Sequence, residues 1–218
     1  KTLSLSINDE IWMLDVPSES STIDPCALKA SGNVLTFGLG IGYFVYMASL
    51  NKSVKSITVV EENQRVIELF NKYILPQFNL QIDFSIIEGN AFDYFNEEFL
   101  NTYDYSFVDI YQSSDDGLEM EMKLLEQYNP SFNHLDFWIE NSILEVMPAL
   151  IVLWIQSMQK VKEARLVSEV YQTILTKIDA YFQKSDIVIN SVNQLKELLY
   201  DTHLHRTILS TKTNVKKR

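Results

Sequence analysis

Residues 33–44 of the chain read N-V-L-T-F-G-L-G-I-G-Y-F, and this stretch decides the fold. The run from Val34 to Phe37 is apolar and partly β-branched, which predicts a short buried strand. The residues from Tyr43 onward have the composition of a helix. Between them lie three glycines at alternate positions, namely Gly38, Gly40 and Gly42. A strand, a glycine turn and a helix in this order let a main chain approach a nucleotide closely.

A second predicted strand ends in two acidic residues. Residues 54–60 read V-K-S-I-T-V-V and are followed by Glu61 and Glu62. Glu61 lies 61 − 38 = 23 positions after Gly38, close to the about 20 positions expected between a glycine loop and a ribose-binding acid. A carboxylate there can accept hydrogen bonds from both ribose hydroxyls, so we assign this position to Glu61. Glu62 and Asn63 are suited to cap the next helix.

The next two predicted strands also end in polar residues. Residues 82–87 read I-D-F-S-I-I and lead into Asn90 and Ala91, and residues 105–108 read Y-S-F-V and lead into Asp109. Ligands of open α/β sheets bind outside the carboxyl ends of the strands. We therefore expect these residues to share one cleft with the glycine loop.

The G-x-G-x-G spacing after a first strand resembles the class I S-adenosylmethionine-dependent methyltransferases, including their aminopropyltransferase branch. The resemblance covers roughly residues 32–116. It implies S-adenosylmethionine as the cofactor, a ligand without phosphate. In that family an Asp commonly holds the adenine amino group, and Asn90 takes its place here. The resemblance implies a cofactor site formed by Gly38, Gly40, Gly42, Tyr43, Glu61, Glu62, Asn90, Ala91 and Asp109.

The acceptor side of the cleft is expected beyond the fourth strand. Asp109 is the candidate catalytic residue, because a carboxylate there can bind an acceptor amine or take its proton. The candidate substrate-binding residues are Trp12, Tyr111, Asp115 and Asp116.

Three functions stay open. The first is a methyltransferase that acts on a small molecule. The second is a spermidine synthase-like aminopropyltransferase, whose V-E-[IV]-D motif is echoed by residues 60–62. That branch has D-[ST]-[ST]-D-P after the fourth strand, whereas residues 109–116 read D-I-Y-Q-S-S-D-D and lack one of the two acids. The third is a non-catalytic relative that binds a nucleoside.

The amino-acid composition limits the classes of partner and ligand that we expect. The 218 residues carry a net charge of −11 and include one cysteine, Cys26. An acidic chain argues against nucleic acid as the substrate. One cysteine excludes an internal disulfide and a cysteine-based zinc site, and no metal site is expected from the three histidines. No signal peptide or membrane span is expected, so the predicted location is the cytoplasm.

We expect an α/β, Rossmann-like, mostly parallel doubly wound sheet of about five strands with a helical C-terminal extension. The predicted domains are residues 1–140 and residues 141–218. Asp24 and Pro25 are expected to start a short helix, Leu135 to Ile139 to form the fifth strand, and Ile187 to Ile189 a possible further strand.

One uncharged stretch suggests self-association. Residues 146–159 read V-M-P-A-L-I-V-L-W-I-Q-S-M-Q. An apolar helix of this kind needs cover on every side. We therefore expect a possible homodimer built in part from the C-terminal helices.

Overall fold

The computed structural model describes residues 4–7, 10–14, 17–130, 134–158 and 168–213. The described residues divide between two compact units. The first unit contains the described residues within Lys1–Gln112 and Pro130–Ser142. The second unit contains the described residues within Ser113–Asn129 and Ile143–Arg218. Residues 113–129, which the predicted first domain included, thus belong with the C-terminal residues.

The first unit is built on a five-stranded parallel sheet. Its strands are β3 (Gly32–Phe37), β4 (Val54–Glu61), β5 (Asp83–Glu88), β6 (Tyr105–Val108) and β7 (Leu135–Phe137). They lie in the order β5-β4-β3-β6-β7, and every neighbouring pair is parallel. The predicted Rossmann-like α/β fold is confirmed. Strands β1 (Ser4–Ile7) and β2 (Glu10–Leu14) form a separate antiparallel hairpin.

The helices of the first unit connect these strands. They are α1 (Pro17–Lys29), α2 (Tyr43–Ser49), α3 (Gln64–Leu69), α4 (Ala91–Tyr94) and α5 (Glu97–Leu100). Helix α3 continues as a π-helical turn, Phe70–Ile74, and a 3-10 turn, Leu75–Gln77. Asn63 caps α3 by accepting from the Arg65 N–H at 3.0 Å, as the sequence predicts. The remaining helices are α6 (Ser114–Gln127), α7 (Trp138–Ser142), α8 (Val146–Met158), α9 (Glu169–Phe182), α10 (Val192–Leu199) and α11 (Thr202–Ser210), of which only α7 belongs to the first unit.

Apolar side chains cover both faces of the sheet. On one face, Val34 and Phe107 lie in a core with buried residues of α1 and α2, and Phe44 stacks on Phe107 at 4.2 Å between ring centroids. On the other face, Phe95 contacts Phe37 and Phe137 at 5.8 and 5.9 Å. Full burial of each such side chain stabilises the fold by roughly 1.5–3 kcal/mol.

The second unit consists, in its described part, of helices and irregular segments, in agreement with the predicted helical extension. Helix α6 packs against α9 and α11. Lys177 of α9 is only 2% exposed, and its ammonium group donates to the Glu126 carboxylate of α6 and to the Thr211 carbonyl oxygen. This buried lysine therefore joins the three helices.

The apolar helix α8 is covered in part within its own unit. The Trp154 Nε1–H donates to Asp179 Oδ1 at 3.0 Å, and the Trp154 ring stacks on Phe182 at 4.6 Å. Helix α9 thus covers one side of the stretch that the sequence assigned to a dimer interface.

Two predicted boundaries are wrong, and one possible strand does not form. Helix α1 begins at Pro17, so Asp24 and Pro25 lie inside it. Ile23, Cys26, Ala27 and Ala30 are buried at helical spacing, and this burial outweighs the weak helix propensity of the serine-rich run before them. Strand β7 ends at Phe137, because Trp138 already begins α7. Residues 187–189 are exposed and lie in no strand.

Candidate functional site

The glycine loop lies at the carboxyl edge of the sheet. Gly38, Gly40 and Gly42 have φ angles of 92°, 51° and 79°, which favour glycine. A Cβ on Gly38 would lie 1.9 Å from the Asp109 carbonyl oxygen, and a Cβ on Gly42 would lie 2.3 Å from the Phe70 ring. Gly38 thus allows the loop to approach the end of β6, whereas Gly42 makes room for a core phenylalanine.

Glu61 joins the glycine loop to the start of α3. Its Oε2 accepts from the Leu39 N–H at 3.0 Å, and its Oε1 accepts from the Asn63 N–H at 2.8 Å. Burial raises the pKa of the Glu61 carboxyl above its ordinary value, and Glu62 contributes a smaller effect in the same direction. The side chain assigned to ribose therefore already holds two segments of main chain.

Glu62 and Asn90 form a pair at the ends of β4 and β5. The Asn90 Nδ2 donates to Glu62 Oε2 at 2.8 Å. The Asn90 Oδ1 accepts from the Phe92 N–H at 2.9 Å and so caps α4, whose first residue is the buried Ala91. An Asp at position 90 would place a second carboxylate beside Glu62, and the amide avoids this repulsion.

Asp109 follows β6 directly beside the glycine loop. Its N–H donates to the Phe37 carbonyl oxygen at 2.9 Å. The Gly89 N–H likewise donates to the Glu61 carbonyl oxygen at 3.0 Å. Along one edge of the sheet the structure therefore brings together the predicted positions 90, 62, 61, 38 and 109, and we call these residues the edge row.

The Tyr43 side chain anchors α2 to α1. Its hydroxyl group donates to Asp24 Oδ1 at 2.7 Å, which joins α2 to α1. Its ring packs against the core of the first unit. The predicted contact of Tyr43 with a cofactor stays a prediction.

Tyr111 is buried in the first unit, with 6% of its surface exposed. Its hydroxyl oxygen accepts from the Ile139 N–H, and its ring stacks on Trp138 at 5.7 Å. These contacts are structural, and its substrate role stays a prediction. Sequence reasoning missed Trp138, whose only signal was a large aromatic residue at a predicted strand end.

The other predicted substrate residues lie elsewhere. Asp115 and Asp116 belong to the first turn of α6, in the second unit. Asp115 Oδ2 accepts from the Ser168 hydroxyl at 2.7 Å, and the Asp116 N–H donates to the Ser113 hydroxyl at 3.2 Å. Trp12 lies in β2, and its side chain is outside the described part of the structure.

Metal binding and membrane spanning are two other function classes on which the described residues bear. In the residues that the structure describes, no group of three or more His, Cys, Asp or Glu side chains is placed to hold a metal ion. In the same part of the chain, the helices are too short or too polar to cross a membrane.

Comparison with known proteins gives remote similarities. No protein-family model and no curated protein matches the chain. Among solved structures, shikimate dehydrogenase of Mycobacterium tuberculosis is 13% identical, with 73% of this chain and 61% of that chain covered and a TM-score of 0.33. A dimethyladenosine transferase of Plasmodium falciparum is 14% identical over 84% and 95% of the two chains, with a TM-score of 0.36. PKMT2 of Rickettsia typhi, in complex with AdoHcy, is 16% identical over 91% and 40%, with a TM-score of 0.30.

These scores are too low to carry a functional argument. The first and third of these structures also extend well beyond the part that this chain spans. The Rossmann-like assignment rests on the parallel strand order and register of the first unit.

Proposed function

We propose that the first unit binds S-adenosylmethionine, or its demethylated product, at the carboxyl edge of its sheet. On this proposal the chain is an S-adenosylmethionine-dependent methyltransferase that acts on a small molecule. The observation that supports it is the edge row, in which a glycine loop, two strand-end acids, an asparagine and Asp109 are neighbours in the order of the strands.

The glycine loop is better suited to a ligand without phosphate. A dinucleotide-binding loop offers its main-chain N–H groups and a helix N-terminus to a pyrophosphate. Here the Leu39 N–H is bound by the Glu61 carboxylate at 3.0 Å. A phosphate at this position would meet a half-buried negative charge, whereas ribose hydroxyls and an ammonium group would be attracted to it.

The side chains of the edge row fit a nucleoside. Glu61 places a carboxylate beside the glycine loop, and a carboxylate there can accept hydrogen bonds from ribose hydroxyls. Asn90 retains one lone pair on Oδ1 after it caps α4, so it can accept from the adenine amino group. Gly40 adds no side chain to the loop.

Bound S-adenosylmethionine would supply an activated methyl group. The protein's part is then to hold the two reactants in line and to exclude competing water. Asp109 supplies a carboxylate next to the loop, which can bind an acceptor ammonium group or take its proton.

A second function is favoured by the charge of the same residues. Glu61, Glu62 and Asp109 give the edge row three carboxylates, which suits a cationic acceptor such as an amine. This supports a spermidine synthase-like aminopropyltransferase that uses decarboxylated S-adenosylmethionine. The incomplete D-x-x-D spacing after β6 argues against it, and a non-catalytic nucleoside-binding protein is the third candidate.

Calorimetry tests which ligand the chain binds. S-adenosylmethionine, S-adenosylhomocysteine, decarboxylated S-adenosylmethionine and NAD are titrated side by side into the full chain. We expect binding of the sulfur nucleosides and none of NAD. Tight binding of NAD alone would contradict the proposal. Preference for the decarboxylated form would replace the methyltransferase by the second candidate.

Asp109→Asn tests the reaction. The substitution keeps the shape of the side chain and removes its charge. We expect unchanged affinity for S-adenosylhomocysteine and a loss of transfer. Loss of nucleoside binding in a folded variant would instead place Asp109 in the cofactor site alone.

We also propose a small-molecule acceptor, no nucleic-acid or membrane partner, a cytoplasmic location and a homodimer formed in part by α8. The support for the dimer is the uncharged composition of α8 beyond the side that α9 covers. Light scattering at micromolar concentration would show a dimer, and a monomer there would end the proposal.

A further inference from the structure

Two aromatic side chains hold the segment that follows β6. The Tyr111 hydroxyl oxygen accepts from the Ile139 N–H, and its ring lies parallel to the Trp138 ring, with 8° between their planes. Because Tyr111 is nearly fully buried, leaving the Ile139 N–H without its acceptor would be costly. Tyr111 is thus fixed at both its ring and its hydroxyl group, two residues after Asp109.

The start of the segment from residue 109 to residue 111 is fixed by main-chain contacts. The Asp109 N–H donates to Phe37 at 2.9 Å, and the Asp109 carbonyl oxygen fills the space that a Cβ on Gly38 would need. The segment from 109 to 111 is therefore held at its start by β3 and at its end by Tyr111.

Trp138 is itself held by α1. Its Nε1–H donates to the Thr22 hydroxyl oxygen at 2.8 Å. Helix α1 is joined to the same region by two more contacts, from Asn141 Nδ2 to Cys26 Sγ at 3.1 Å and from Lys29 Nζ to Asp136 Oδ2 at 3.1 Å. A support with three separate contacts resists displacement better than one with a single contact.

Helix α1 also holds the helix that follows the glycine loop. Asp24, two residues after Thr22, accepts from the Tyr43 hydroxyl at 2.7 Å. One helix therefore supports both the segment with Asp109 and the segment after the glycine loop.

We propose that Tyr111 and Trp138 are positioning residues for Asp109 and that Thr22 of α1 is their support. The proposal rests on the proposed function, because the role of Asp109 comes from it. Neither aromatic residue has to touch a ligand. A positioning role implies that their loss lowers transfer and leaves the affinity for the nucleoside unchanged.

The test compares two buried tyrosines, Tyr105 at the start of β6 and Tyr111 beyond its end. Tyr111→Phe removes the acceptor of the Ile139 N–H, and Tyr105→Phe removes a hydroxyl that donates to Asp136 at 2.7 Å. Amide hydrogen exchange at Asp109, followed by NMR in the full chain, reports local opening of its bond to Phe37. We expect exchange about tenfold faster in Tyr111→Phe. In Tyr105→Phe, Asp136 keeps its ion pair with Lys29 of α1, so we expect parent-like exchange at Asp109.

A second pair of variants tests the support. Thr22→Val keeps the size of the side chain and loses the acceptor of the Trp138 Nε1–H, whereas Thr22→Ser keeps the hydroxyl group. We expect faster exchange at Asp109 in Thr22→Val and parent-like exchange in Thr22→Ser. S-adenosylhomocysteine affinity is expected to stay unchanged in both, while kcat falls in Thr22→Val only.

Parent-like exchange at Asp109 in Tyr111→Phe would overturn the proposal. Equal acceleration in Tyr111→Phe and Tyr105→Phe would also overturn it, because it would report general destabilisation. A parent protein that binds no S-adenosylhomocysteine contradicts the proposed function instead. The exchange measurements still decide the positioning of Asp109 in that case.

Discussion

At the scale of single residues, Glu61 holds two main-chain segments and is also the residue that we propose for ribose binding. A carboxylate accepts from both the Leu39 and the Asn63 N–H groups. In Glu61→Gln the side-chain amide can accept only one of these bonds and turns a donor towards the other. We expect the free energy of unfolding to fall by about 1–3 kcal/mol and amide exchange at Leu39 or Asn63 to accelerate.

The exposed Glu68 of α3 provides the control, because Glu68→Gln removes the same charge from the surface of a helix. Chemical denaturation measures both variants. If Glu61→Gln is as stable as Glu68→Gln and its loop exchanges like the parent, the carboxylate does not hold the glycine loop. Loss of nucleoside affinity alone would then assign it to the ligand.

Cys26 predicts a pH dependence of stability. Burial, followed by the charge of Asp136, raises the pKa of its thiol from 9.0 to about 12. Above pH 9 the unfolded chain releases the thiol proton while the folded chain keeps it, so rising pH favours unfolding. The stabilising contribution is complete below pH 9 and is lost as the pH rises towards 12.

We therefore expect the stability of the parent, measured relative to Cys26→Ala, to fall by up to about 1.4 kcal/mol per pH unit above pH 9. Urea denaturation at several pH values between 8 and 11 measures the difference, in which the titrating groups that do not interact with Cys26 cancel. A constant difference across this range would contradict the raised pKa.

Residue types at strand ends were predictable, but their bonds were not. The positions of Glu61, Asn90 and Asp109 followed from strand patterns and from the geometry of parallel sheets. The bond from Leu39 to Glu61 and the stack of Tyr111 on Trp138 join residues 22 and 27 positions apart. Such contacts depend on side-chain packing, which the periodicity of apolar residues in the sequence does not predict.

At the scale of elements, the start of α2 depends on the turn after α3. Gly42 caps α2 with a φ of 79°, and its missing side chain leaves room for the Phe70 ring of the π-helical turn. We expect Gly42→Ala to cost about 1–2 kcal/mol for the left-handed conformation. Crowding of Phe70 adds about 1–3 kcal/mol.

A double-mutant cycle separates these two costs. In a Phe70→Leu background the crowding is relieved and the conformational cost remains, so Gly42→Ala should be less destabilising there. Thermal or chemical denaturation of the four proteins gives the coupling. Additive effects of the two substitutions would show that the ring does not limit position 42.

The elements that the sequence placed correctly are those with strong patterns. The buried strands β3, β4 and β6 have apolar runs bounded by glycine or acids, and their ends agree with the prediction within about two residues. Helix α1 was misplaced because its serine-rich start resembles a loop. Its helical form depends on burial of Ile23, Cys26 and Ala27, which only the folded unit provides.

At the scale of the whole molecule, the position of α6 makes a test of the two units possible. Residues 113–129 belong to the second unit but lie in sequence between two parts of the first. A fragment that ends at Ser142 would keep α6 and lose its partners α9 and α11. We expect this fragment to aggregate, because the side of α6 that packs against α9 and α11 would lose its cover.

The matched fragment replaces residues 113–129 by a glycine-serine segment of equal length. It keeps all five strands of the parallel sheet, and we expect it to be monomeric and to unfold cooperatively. Circular dichroism and size-exclusion chromatography compare the two fragments. An unfolded or aggregated replacement fragment would show that the first unit does not fold alone.

The position of α6 in the sequence also determines when it meets its partner helices during synthesis on the ribosome. Helix α6 ends at residue 127 and α11 at residue 210, so 210 − 127 = 83 residues separate them. Translation proceeds at about 5–20 residues per second, so about 4–17 s pass between the synthesis of α6 and that of its last partner helix. Over that interval the side of α6 that packs against α9 and α11 in the folded protein is without these partners. We expect this segment to be the one that a ribosome-associated chaperone shields.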